Sequence, residues 1–201
     1  MKSMMKTKRQ DAGFTLMELL LVIVIMAILA AIAIPGFSGW LPDYRLRQAA
    51  RALYSNLQRA KMNAIKSNSE WRVYFDSNVN PGRYFLCSGP GANGAWDSPA
   101  AVGLGGDDDV DMTLSLSDYD GVNFGNGNAL TNIDGETFGA VIDFDTGNPS
   151  IKNITNFTSR GTVNLNGYVY ISNPKGSVFA VGTPSPAGVV IIRKYNGSDW
   201  V

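Results

Sequence analysis

One uninterrupted apolar segment constrains this chain more than any other feature. Residues 14–34 include only two polar side chains, Thr15 and Glu18, and as a helix they would extend about 30 Å, the thickness of a bilayer core. Four basic residues and Asp11 precede the segment, giving residues 1–13 a net charge of +3. Because Lys and Arg are enriched on the cytoplasmic side, the sequence predicts a single-pass anchor with a cytoplasmic N-terminus and an exported body.

Glu18 is the residue that a plain anchor does not explain. A carboxylate inside a membrane needs a partner. If the chain is cut after Gly13, the new amine of Phe14 lies four residues from Glu18, about one helical turn away. Pairing of the two groups, within one chain or between neighbours, would neutralise both charges. Between neighbours, the pair would also set an axial register for assembly.

The stretch GFTLMELL, residues 13–20, followed by the apolar run and Pro35, resembles the class III signal of type IV pilins and type II secretion pseudopilins. The resemblance implies cleavage after Gly13 and N-methylation of Phe14 by the prepilin peptidase. It also implies that Glu18 acts in assembly and that Pro35 kinks the helix. Two further stretches, residues 56–68 and 157–197, resemble the GspH/FimT branch of pseudopilins.

The same resemblance implies where the protein acts and with which partners. The precursor would sit in the bacterial inner membrane with its head in the periplasm, and would then enter a fibre. Its partners would be the prepilin peptidase, other pseudopilins or pilins that pack along the N-terminal helix, and the inner-membrane assembly platform. No cofactor and no catalytic activity are implied.

The sequence divides into five segments with different patterns. We expect a cleaved leader over 1–13, a transmembrane and filament-core helix over 14–34, and a bent or loosened stretch over 35–42, where two prolines and two glycines occur. Residues 43–68 predict an amphipathic helix with Asp43 as its N-cap, because apolar residues recur every three or four positions. The remainder, 69–201, predicts a β-rich globular head.

Alternating apolar and polar residues predict the strands of this head. Gly, Asn, Asp and Pro clusters separate them, and no helical pattern lies between them, so the sheet is expected to be antiparallel. The fold class is therefore α+β, with a long N-terminal helix packed on an antiparallel head. Residues 77–135 resemble nothing in the family and are interpreted as a variable insert. The predicted strands are 70–76, 83–88, 112–117, 138–145, 162–172, 177–182 and 188–195.

Composition excludes several kinds of active site. The chain has no histidine, which rules out Ser-His-Asp, Cys-His and His-ligated zinc sites within it. The single cysteine, Cys87, cannot form an internal disulfide, and its apolar neighbours predict a buried structural thiol.

Two charged stretches are weaker candidates for binding. An acidic segment can offer oxygen ligands to calcium, although its spacing is not that of an EF-hand, and a solvated loop is the preferred interpretation. Its candidate ligands are Asp107, Asp108, Asp109 and Asp111. Arg193 and Lys194, beside Tyr195, are a minimal footprint for nucleic acid, and a solvated strand end is preferred because residues 14–201 carry a net negative charge.

Three functions remain open from the sequence. The preferred one is a minor pseudopilin of a type II secretion system. The second is a minor pilin of a type IV pilus, acting in pilus initiation, adhesion, twitching or DNA uptake. The third is a membrane-anchored periplasmic enzyme or binding module, since carboxylate chemistry needs no histidine.

Overall fold

The computed structural model describes residues 14–98, 105–144 and 153–201, without the side chains of 34–38. By its internal contacts the chain divides into two compact units, Met1–Trp40 and Leu41–Val201. One helix, α1, spans Leu16–Ser67 and passes from the first unit into the second. The predicted leader, including the Gly13 cleavage position, lies outside the described residues.

Helix α1 is continuous through residues 35–42, where a bent or loosened stretch was expected. Because these residues are helical, the N-cap predicted at Asp43 is wrong. Pro35 and Pro42 have no N–H, so the carbonyls of Ala31 and Ser38 cannot receive the usual hydrogen bond from the residue four positions on. The favourable helical residues on both sides outweigh these two losses. A bend at Pro35 stays a prediction.

The end of α1 has a local cause. Asn68 adopts a left-handed backbone conformation, with φ of 51°, and the Ser69 N–H donates to the carbonyl of Ala64 at 3.2 Å. A residue in this conformation directly after the last turn is a common C-terminal cap, and Asn tolerates it better than most residues do. The chain then turns into the first strand.

The head contains two antiparallel sheets. The first has the order β3–β2–β1–β6, formed by β1 (Trp71–Asp76), β2 (Arg83–Gly89), β3 (Asp109–Ser115) and β6 (Ile154–Phe157). The second has the order β4–β7–β8–β9, formed by β4 (Asn123–Phe124), β7 (Gly167–Ser172), β8 (Val178–Thr183) and β9 (Ile191–Lys194), with β5 (Ile142–Phe144) also paired to β7. A short 3₁₀ helix, Leu116–Asp118, follows β3. The α+β class is confirmed.

The second half of α1 packs on both sheets. Its buried face is an apolar stripe in which Leu46, Leu53 and Leu57 are each at most 1% exposed. These residues join one core cluster with Phe75 from β1 and Ile171 from β7, among others. Two smaller clusters cover the outer faces of the sheets, one around Tyr170 and Trp200 and the other around Tyr74 and Cys87.

The predicted strands differ from the observed ones in two informative places. Strand β3 begins three residues earlier than the predicted 112–117, so the acidic segment is partly strand rather than loop. Strand β6 was missed because Thr155 and Asn156 are polar. Both are buried, and each is hydrogen-bonded: the Thr155 hydroxyl donates to the Leu165 carbonyl at 2.8 Å, and Asn156 Oδ1 accepts the N–H groups of Asn164 and Leu165.

Candidate functional site at the N-terminal motif

The first turn of α1 is capped by the residues of the motif itself. Thr15 precedes the first helical residue, and its Oγ1 accepts the backbone N–H of Glu18 at 3.2 Å. The Thr15 carbonyl also accepts the N–H groups of Glu18 and Leu19, each at 3.1 Å. A threonine followed three residues later by glutamate, before an apolar run, is the pattern of a capping box. The structure shows the threonine half of this pattern, in which the Thr15 hydroxyl accepts the Glu18 N–H.

The carboxylate of Glu18 is exposed and has no ion pair within the described ranges 14–98, 105–144 and 153–201. A carboxylate in the first helical turn also interacts favourably with the positive end of the helix dipole. Phe14, whose side chain is 82% exposed, lies directly before this turn. The geometry therefore leaves the Glu18 carboxylate accessible at the start of the helix, close in sequence to the predicted new N-terminus.

An apolar span follows the cap directly. Leu16–Ala33 has a mean hydropathy of 2.9, and none of it is buried within the structure. By length and composition, this part of the helix can cross a membrane. Pro35 lies just beyond the span, within the helical backbone. Together with the motif before it, the span fits a membrane anchor.

Residues of the acidic segment hold a neighbouring loop in place through hydrogen bonds. Asp107 Oδ2 accepts the backbone N–H groups of Ala92 and Asn93, at 2.9 and 3.1 Å. Asp108 is buried, and its carboxylate accepts the Tyr74 hydroxyl at 2.5 Å and the Asp97 N–H at 3.2 Å. Burial raises the pKa of the Asp108 carboxyl, while the hydrogen bond from Tyr74 opposes that shift.

These contacts correct the prediction of a fully solvated loop, because Asp108 lies inside the head and Asp109 and Asp111 lie in β3. They bear on the calcium alternative for Asp107, Asp108, Asp109 and Asp111, which stays a prediction. Two of the four carboxylates already bind backbone or tyrosine donors. Across the part of the chain that the structure describes, no group of three or more candidate ligands could hold a metal ion.

The two remaining candidates are also placed by the structure. Arg193 and Lys194 are exposed at the end of β9, but Tyr195 is buried against Trp200, with ring centroids 5.3 Å apart, and is not presented for stacking on a base.

Cys87 is fully buried in β2. Burial raises the pKa of its thiol to about 12, with a further contribution from the charge of Asp108, so it is a structural residue, as predicted.

Asp43 connects α1 to a distant turn, a role that its local sequence does not indicate. Its Oδ1 accepts Asn173 Nδ2 and Ser177 Oγ, both at 2.8 Å, and its Oδ2 lies 3.7 Å from Lys175 Nζ. These partners form the turn between β7 and β8. The hydrogen bond from Asn173 lowers the pKa of Asp43, with smaller contributions from Ser177 and Lys175, while partial burial opposes the shift. Asp43 therefore ties α1 to the second sheet.

Comparison with known proteins identifies the N-terminal segment. Residues 8–34 match the family described as the prokaryotic N-terminal methylation motif. No curated protein matches the chain, and no solved structure matches it. The match covers residues 8–13 of the predicted leader, the cap and the apolar span, and ends before the head. This chain therefore carries the N-terminal methylation motif of type IV pilin-like precursors.

Proposed function

We propose that this protein is a non-catalytic subunit of a type IV pilin-like fibre, and specifically a minor pseudopilin of a type II secretion system. The observation that carries the proposal is the methylation motif at 8–34, continued by an exposed apolar helix. In this proposal the prepilin peptidase cleaves after Gly13 and methylates Phe14. The span Leu16–Ala33 then holds the subunit in the inner membrane, with its head in the periplasm, until the assembly platform moves it into the fibre.

The N-terminal motif supports a minor pilin of a type IV pilus equally well, because both kinds of fibre use the same anchor. A deletion strain of the source organism separates the two. Secreted proteins lost from the culture supernatant, with normal surface pili, would support the secretion pseudopilus. Lost pili with a normal supernatant would replace that proposal with the type IV pilus.

The chemistry of the mature N-terminus tests the shared part of the proposal. Mass spectrometry of the protein from cells with an active prepilin peptidase should show a chain that begins at methylated Phe14. Cells without the peptidase provide the control, in which the chain keeps Met1. An unprocessed chain in both strains would contradict the proposal and favour an anchored enzyme or binding module.

In the fibre, Glu18 is proposed to neutralise the amine of a neighbouring Phe14. Its carboxylate has no ion-pair partner in the described part of the chain, so it is available for this contact. The charge of Glu18 can be separated from its place in the capping-box pattern, because Gln fits the same pattern but carries no charge.

We expect Glu18→Gln and Glu18→Ala both to be cleaved normally and both to be excluded from the fibre. Glu136→Ala, which removes one charge from an exposed position of the head, is the control and should be incorporated normally. Incorporation of Glu18→Gln at the wild-type level would show that Glu18 acts only as a cap.

A further inference from the structure

The side of α1 opposite the buried leucines carries a stripe of cations within Leu41–Val201. The stripe is defined as Arg47, Arg51, Arg59 and Lys66, all of which are exposed. Their spacings of four, eight and seven residues place them on one face of a helix. None of the four forms an ion pair with a residue that the structure describes. Arg45 and Lys61 differ: Arg45 pairs with Asp120 at 2.5 Å, and Lys61 donates to the Gly188 carbonyl at 3.0 Å.

The charge of the chain is divided between the helix and the head. Residues 43–67 contain six basic residues and Asp43, a net charge of +5. Residues 69–201 contain seven basic and fourteen acidic residues, a net charge of −7. Each copy of the chain therefore presents a basic helix face and an acidic head, and two copies are electrostatically complementary to each other.

Strand β3 offers the acidic counterpart. Asp109 and Asp111 are exposed on this strand, which is one of the two edge strands of the first sheet, and neither carboxylate has a partner among the described residues. Three other nearby carboxylates are occupied, because Asp107 and Asp108 bind the 92–97 loop and Asp120 binds Arg45. Asp118 is exposed too, but it lies in the 3₁₀ helix after β3, so Asp109 and Asp111 are the available carboxylates of the strand itself.

The geometry of β3 favours a contact through side chains rather than strand addition. Its pairing with β2 shifts register twice, between Leu86 and Cys87 and between Cys87 and Gly89. As a result Asp109, Val110 and Asp111 are all exposed. Irregular register and charged residues are devices that prevent an edge strand from pairing with another backbone.

We propose that the cationic stripe of one copy binds Asp109 and Asp111 of a second copy. Arg47 and Arg51 are about 6 Å apart along the helix axis, and two residues along a strand are separated by about 7 Å, so two ion pairs can form side by side. The two surfaces are different, so the contact between two copies is heterologous. The interface lies wholly within Leu41–Val201 and does not depend on cleavage after Gly13.

A nucleic acid or an anionic lipid surface would be attracted by the cationic stripe but would leave the carboxylates of β3 without a partner. Residues 14–201 carry thirteen basic and sixteen acidic side chains, so an extended polyanion would be repelled by the acidic head. With other copies of the chain, both unpaired surfaces find partners: the cationic stripe meets the acidic strand β3 of one copy, and β3 meets the stripe of another. For that reason the second copy is the occupant that the observations favour.

The test measures self-association of the full-length chain in zwitterionic detergent by analytical ultracentrifugation. At low salt we expect Arg47→Glu/Arg51→Glu to weaken self-association about fivefold or more, and Asp109→Lys/Asp111→Lys to weaken it to a similar extent. Arg193→Glu/Lys194→Glu makes the same change in net charge on β9 and should leave self-association unchanged. Raising the salt concentration should weaken the wild type toward the level of the variants.

A mixture of the two interface variants provides the decisive measurement. The acidic helix of the Arg47→Glu/Arg51→Glu chain meets the basic strand of the Asp109→Lys/Asp111→Lys chain, and the two unchanged surfaces also remain complementary. The mixture should therefore associate about as well as the wild type, although each variant alone does not. Failure of the mixture to associate would overturn the proposal.

A second measurement tests whether the cationic stripe binds a nucleic acid or an anionic membrane instead. Binding of a single-stranded oligonucleotide, or of vesicles containing an anionic phospholipid, is measured for the wild type and for Arg47→Glu/Arg51→Glu. If the stripe variant loses such binding while Asp109→Lys/Asp111→Lys keeps wild-type self-association, the stripe serves a polyanion or a membrane and the proposal is wrong. Weak binding that is equal for both chains supports it.

Discussion

The two halves of helix α1 share one secondary structure but depend on different surroundings. In Leu16–Ala33 the side chains other than Glu18 are apolar on every side of the helix, and none is buried within the structure. In the second half, apolar side chains occupy one face only, and that face is buried on the sheets, with Leu53 and Leu57 completely covered. A helix that is apolar all round needs an apolar medium or other helices, whereas an amphipathic helix is satisfied by its own domain.

The comparison shows that the hydrophobic pattern, rather than helix propensity, determines what each half contacts. Both halves contain good helix formers, and the backbone remains helical even across Pro35, Gly36, Gly39 and Pro42. The first half leaves its apolar surface uncovered within the structure, which fits a membrane anchor. The second half uses its apolar surface to build the core of the head. Substitutions in the two halves should therefore affect different properties.

The largest expected effect is on the stability of the head. Leu57→Ala removes a fully buried side chain from the main core cluster and should lower the free energy of unfolding by about 2–5 kcal/mol. Leu21→Ala makes the same chemical change at a side chain that is 59% exposed and should leave the unfolding of the head unchanged. Thermal unfolding of the two detergent-solubilised variants checks this. Equal destabilisation by both would contradict the division between the halves.

The second prediction concerns membrane insertion. Ile25→Arg places a charge near the middle of the apolar span, which costs about 2.5–3.5 kcal/mol on insertion scales. The variant should be found less often in the membrane fraction, while its head folds normally. Ser55→Arg adds the same charge to the exposed face of the second half and should insert as the wild type does. An Ile25→Arg chain that fractionates normally would argue against a spanning segment.

The smallest expected effect concerns the tie between α1 and the second sheet. Asp43→Asn weakens the contacts with Asn173, Ser177 and Lys175 and should lower the free energy of unfolding of the head by about 1 kcal/mol near neutral pH. The pKa of Asp43 is lowered in the folded state, so this stabilisation is present above its ordinary value of 3.8 and is lost as the pH falls below that value. Denaturant titrations of wild type and variant should converge in acid. A constant difference down to low pH would contradict the role of the carboxylate charge.

Much of the fold follows from local pattern. The apolar run and the stripe containing Leu46, Leu53 and Leu57 predict the two halves of α1, alternation predicts β1, and the apolar run of residues 84–87 lies within the predicted strand that became β2. The prediction fails where tertiary contacts satisfy polar groups. Asn156 is polar in sequence but buried in β6, and Asp43 fits an N-cap by residue type but binds a turn 130 residues away. No local rule reports such distant partners.

The candidate site is predictable to a similar degree. The spacing of Thr15 and Glu18 before an apolar run contains both the prepilin motif and a capping box, and only the first was recognised. The acidic segment was harder to interpret. Asp107 and Asp108 bind groups from Tyr74 and the 92–97 loop, and the alternation of β3 is disturbed by its shifts of register. Which carboxylates are occupied and which remain available depends on those contacts.

The burial of Cys87 has a practical consequence for spectroscopy. Because this thiol is the only one in the chain, is fully covered and stays protonated at neutral pH, maleimide dyes and nitroxide spin labels will not modify it in the folded protein. A cysteine introduced at an exposed position can then be labelled selectively without first removing the native one. Distances between labels on neighbouring subunits can therefore be measured in an assembled fibre with an otherwise unaltered sequence.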